Sequence, residues 1–85
     1  MYVQKSRMTN KQEKISEILA RVSGKDETPG PDESLFDSGY LDSFALTDVV
    51  AELEQAFGIS IPDSDLNPRR FESIALIERY VQSKL

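Results

Sequence analysis

The chain has 85 residues, enough for one domain, with 10 Lys and Arg against 15 Asp and Glu and a formal net charge of −5. It contains no Cys, His or Trp. Those absences exclude a Cys/His zinc site, a Cys-based redox centre and a haem axial histidine. They also exclude Ser–His–Asp or Cys–His catalysis within the chain, because the general base is missing. A core of this size supplies a stability of roughly 3–5 kcal/mol.

Apolar residues at 39% and charged residues at 29% fit a soluble domain better than a disordered chain. No stretch approaches the roughly 20 apolar residues that a membrane span needs, so no membrane insertion is expected. Residues 1–10 (MYVQKSRMTN) hold no long apolar run and do not read as a secretory signal. We expect residues 1–9 to be a flexible polar tail, residues 10–85 to be a single domain, and the cytoplasm to be its compartment.

The charge is segregated. Residues 1–25 carry six basic and two acidic side chains. Residues 26–66 carry eleven acids and no Lys or Arg, and residues 67–85 carry four basic and two acidic side chains. The central block repels polyanions, which argues against nucleic-acid binding. It attracts basic partners instead.

Ile15, Ile18, Leu19 and Val22 form one helical stripe. Thr9 or Asn10 can cap it, with Gln12 or Glu13 completing a capping box, and Gly24 closes it. This first helix is expected at about residues 10–22. Residues 23–42 (SGKDETPGPDESLFDSGYLD) have no helical period. They read as a long loop anchored by Leu35, Phe36, Tyr40 and Leu41, with a turn of helix near residues 32–36.

Leu46, Val49, Val50, Leu53 and Phe57 mark a second helix at about residues 43–57, started by Asp42 and Ser43 and ended by Gly58. Ile59 and Ile61 anchor the linker that follows. Residues 62–70 carry Asp63, Ser64 and Asn67-Pro68, start signals for one short helical turn. Asp63-Ser64-Asp65 lacks the glycine and distant glutamate of a calcium loop, so no metal site is assigned. Ile74, Ile77 and Val81 behind Ser73 give a final helix at about residues 73–83. No segment sustains a strand period, and the fold class is all-α.

Asp42-Ser43 ahead of an apolar run is, on its own, a helix cap. Beside the core stripe, however, runs a second one: Phe44, Thr47, Asp48, Ala51 and Gln55, flanked by Glu52 and Glu54. An aromatic at its head suits a docking face, and the alternative is that Phe44 folds back onto Leu41.

Asp42-Ser43-Phe44, the preceding LFDSGYL, Phe57-Gly58-Ile59, Ile61-Pro62 and the NPRRFESI run before the last helix together resemble the acyl carrier protein family. The resemblance spans about residues 10–83. It implies a four-helix bundle with a long first loop and a short third helix. It also implies 4′-phosphopantetheine, attached from coenzyme A to Ser43 by a separate phosphopantetheinyl transferase, with Asp42 beside it. The arm's thiol would carry cargo as a thioester, which accords with a chain that has no Cys.

The family reading makes the protein a carrier with no catalytic residues. Its partners would read Phe44, Thr47, Asp48, Ala51, Glu54 and Gln55 through basic patches. The cargo expected is an acyl intermediate of fatty-acid, polyketide or related lipid biosynthesis, exchanged with loading and condensing enzymes. The alternative is an aminoacyl or peptidyl carrier charged by an adenylating ligase. Phe44 stands where fatty-acid carriers usually have Leu or Met, and LFDSGYLDS is similar to D-alanyl carriers and to free-standing carriers of specialised pathways. A monomer is expected of a protein that visits several enzymes. An acidic interaction module without any cofactor is the reading from another class.

Overall fold

The computed structural model describes residues 9–25 and 29–85. The other residues of the expected tail, 1–8, lie outside the described residues. Helix α1 spans Asn10–Ser23. Thr9 is its N-cap: its hydroxyl accepts from the Gln12 amide at 3.0 Å, and the Gln12 side chain accepts from the Thr9 amide at 3.4 Å. This is the expected capping box, with Gln12 as the partner. Gly24, at φ 72°, ends the helix and donates to the Ala20 carbonyl at 2.9 Å.

Helix α2 spans Ala45–Phe57 and α3 spans Ile74–Lys84. Two single 3₁₀ turns, Asp63–Asp65 and Pro68–Phe71, lie between them. The described residues therefore contain three α-helices and no strand. The all-α expectation holds, but the four-helix bundle does not appear as four α-helices. Pro68 explains the difference: it drives Asn67 into an extended conformation, at φ −124° and ψ 121°, so the segment breaks into two separate turns. Residues 32–36 likewise form turns rather than helix.

The three helices converge on one core. Ile15, Leu19, Val49, Leu53, Ile77 and Val81 are fully buried. Leu35 from the loop and Phe71 from the second 3₁₀ turn join them, also fully buried. Tyr40, Leu41 and Ile61 are buried as anchors, while Phe36, Phe57 and Ile59 are half-buried. Tyr80 is buried with its ring 5.2 Å from that of Phe71 in an edge-on contact.

The helices are also tied by polar bonds. Glu78 on α3 accepts from the Thr9 hydroxyl at 2.6 Å and from the Gln12 side chain at 2.7 Å, clasping the start of α1. Tyr80 donates to Asp65 at 2.6 Å, and Lys84 lies 3.4 Å from the same carboxylate, fixing the first 3₁₀ turn on α3.

Candidate functional site

The loop between α1 and α2 delivers the Asp42-Ser43-Phe44 tripeptide. Its first half is stitched to the start of α3. The Ala75 amide donates to the Pro31 carbonyl at 2.9 Å, and the Leu35 amide to the Glu72 carbonyl at 2.7 Å. The Ser34 hydroxyl donates to the Glu72 carboxylate at 3.0 Å. Gly39 then reverses the chain at φ 82°, a conformation costly for any side chain with a Cβ. Tyr40 and Leu41 follow and turn inward.

Asp42 ends the loop. Its carboxylate accepts from the Ala45 amide at 2.8 Å, and its carbonyl accepts from the same amide at 3.1 Å. That local turn explains why α2 begins at Ala45 rather than at the expected residue 43. Asp42 acts as a cap, but one turn outside the helix. The residue next to the helix is Phe44, which offers no side-chain cap.

Ser43 is exposed at the foot of α2. Phe44 is 88% exposed, so it does not fold back onto Leu41. Thr47, Asp48, Ala51 and Gln55 are exposed along the same face of α2. Glu54 differs from them: it is half-buried, and its carboxylate accepts from the Ile61 amide at 2.8 Å, pinning the linker after α2. Glu52 faces α1, where its carboxylate lies 3.6 Å from the Arg21 guanidinium.

Lys25 was one basic residue among several in the sequence. In the fold its ammonium donates to the carbonyls of Gly39 at 2.9 Å and Tyr40 at 3.3 Å. It also lies 5.3 Å from the centre of the Tyr40 ring. The one signal for it is position: it is the last cation before the acidic block.

An open primary hydroxyl just ahead of a helix can accept a phosphodiester. The positive end of the helix dipole favours the phosphate, while the Asp42 carboxylate opposes it in part. The family profile described as "Phosphopantetheine attachment site" matches residues 13–81. The chain belongs to the phosphopantetheine-binding carrier protein family.

The D-alanyl carrier protein of Lactococcus lactis subsp. lactis (strain IL1403) is 38% identical over 73 residues, covering 85% of this chain and 92% of that protein. The D-alanyl carrier protein of Streptococcus pyogenes serotype M1 is 31% identical over 71 residues, covering 84% and 90%. That of Lactobacillus delbrueckii subsp. bulgaricus (strain ATCC BAA-365 / Lb-18) is 34% identical over 56 residues, covering 66% and 70%. The protein is a carrier and not itself an enzyme, and its cofactor is covalently attached 4′-phosphopantetheine. No helix among the described residues is long and apolar enough to cross a membrane.

Proposed function

We propose that this carrier holds 4′-phosphopantetheine on Ser43 and transports an aminoacyl cargo of the D-alanyl type, charged by an adenylating ligase. One observation carries the attachment. Ser43 is an exposed hydroxyl at the end of an anchored loop, two residues before the start of α2 and inside the span matched by the family. The cargo rests on the D-alanyl relatives and on the LFDSGYLDS stretch. They favour the aminoacyl alternative over the acyl cargo of fatty-acid or polyketide synthesis.

The geometry supports a role for each residue. Ser43 Oγ is the attachment atom: it would displace 3′,5′-adenosine diphosphate from coenzyme A to form the phosphodiester, its proton passing to a base in the transferase complex. Asp42 fixes the turn that presents it. When bound, the arm supplies the thiol on which cargo is held as a thioester. Phe44, Thr47, Asp48, Ala51 and Gln55 form the face that the transferase and the ligase read, with Glu54 at its edge. The acidic block steers their basic patches to it. The carrier works as a cytoplasmic monomer, because each partner in turn needs this one face.

Intact mass after incubation with coenzyme A, magnesium and a broad-specificity transferase tests the attachment. The wild type gains one phosphopantetheine, and folded Ser43→Ala gains none. No gain by the folded wild type with two different transferases overturns the assignment. Charging the product with an adenylating ligase, ATP and D-alanine then tests the cargo. Uptake of a fatty acid from an acyl ligase, with no uptake of any amino acid, overturns that part.

A further inference from the structure

The two halves of the long loop are held by different helices. Residues 31–35 bond to Glu72, just before α3, and to Ala75 in its first turn, as described above. In the second half the amides are used inside the loop: Gly39 donates to the Phe36 carbonyl at 3.1 Å and Leu41 to the Leu35 carbonyl at 2.9 Å. The carbonyls of Gly39 and Tyr40 point outward instead, and Lys25 at the end of α1 takes both.

Lys25 does so with a full charge, and charge-assisted bonds are about twice as strong as neutral ones. Its ammonium also covers the Tyr40 ring. Acids dominate the chain that follows, yet this cation is spent on backbone oxygens. The positions it fixes lie four and three residues before Ser43.

We propose that Lys25 is a positioning residue for phosphopantetheine attachment, holding residues 39–41 so that Asp42 and Ser43 are presented in one conformation. This rests on Ser43 as the attachment residue. Without Lys25, this half of the loop keeps its internal backbone bonds and the buried Tyr40 and Leu41 side chains but loses its tie to the end of α1. The transferase then meets a mixture of held and released loops. Its apparent affinity falls in proportion to the held fraction, which raises KM and leaves kcat nearly unchanged.

The test compares wild type, Lys25→Met and Lys25→Arg in two assays. The first is amide exchange on the apo carrier. Lys25→Met speeds exchange of the Gly39, Leu41 and Ala45 amides while the α1 and α3 interiors stay protected. The second is transferase kinetics. Lys25→Met raises KM by roughly three- to tenfold, the worth of one or two net hydrogen bonds. Lys25→Arg, which can reach the same carbonyls, restores the wild-type value.

Positioning also predicts that the KM difference persists in about 0.5 M salt, where a long-range effect of the charge on docking is screened away. Unchanged loop exchange in Lys25→Met overturns the proposal. So does exchange that rises equally across all helices, or a KM difference that salt removes. A wild type that takes up no arm overturns the Ser43 assignment, and the exchange assay then still reports whether Lys25 holds the loop.

Discussion

Phe44 keeps a whole aromatic ring in water, one residue from the proposed attachment serine. It contributes almost nothing to the core, so Phe44→Ala should leave stability within about 0.5 kcal/mol of wild type. Burying such a ring in a partner is worth roughly 1.5–3 kcal/mol, so the same variant should raise KM for transferase or ligase by about tenfold or more. Urea unfolding and steady-state kinetics separate the two effects. Tyr80 presents the opposite case. Burial first, and the bond to Asp65 second, push its pKa up to about 12. That bond is the main cause holding the Asp65 carboxyl below its ordinary range, with Lys84 adding to it and burial opposing. Tyr80 thus contributes fully below about pH 10, the pKa of a free tyrosine, and its contribution is lost as pH rises through about 12. Asp65 contributes above about pH 4 and loses its share as pH falls through its lowered pKa. Tyr80→Phe should therefore lower Tm at neutral pH and narrow its gap to wild type at the alkaline end. A series of melts across pH checks both.

At the scale of elements, the helix ends carry their own instructions. Gly58 closes α2 at φ 65°, donating to the Glu54 carbonyl at 2.9 Å. A Cβ there would meet nothing within 4 Å, so Gly58→Ala pays only the left-handed backbone penalty of roughly 1–2 kcal/mol. Urea midpoints should show that loss with an unchanged slope. Thr9 with Gln12, Gly24, Gly58 and Ser73 were all legible in the sequence because caps act over three or four residues. So was the exposed face of α2, because its spacing is regular. The start of α2 was misplaced because Asp42 bonds to Ala45 and tightens the turn before the helix. The short third helix was overestimated because Pro68, one of its start signals, also holds Asn67 extended and splits the segment into two turns. Tyr80 was left out of the core stripe because its hydroxyl needs a partner, Asp65, that only the fold supplies. Lys25 on Gly39 and Glu78 on Thr9 were illegible for the same reason: both join segments that no local pattern relates.

For the whole molecule, charge is the main unresolved tension. Among the described residues two ion pairs form, Arg21–Glu52 and Lys84–Asp65. Each draws one acid out of the central block, and Lys25 is committed to carbonyls. Most of the block's acids are left to repel one another. Added salt or divalent cations should raise Tm by screening that repulsion. A calorimetric salt series showing a flat or falling Tm would contradict it. The stitching of the loop to α3 bears on something else, the order of events during synthesis. Until Glu72 and Ala75 have left the ribosome, the first half of the loop ahead of Ser43 lacks its partners, and Lys25 with the loop's own bonds must hold the second half. Modification would then favour finished chains: a truncated product lacking α3 would be primed more slowly than a folded one, and the pool of charged carriers would be enriched in chains that had finished folding.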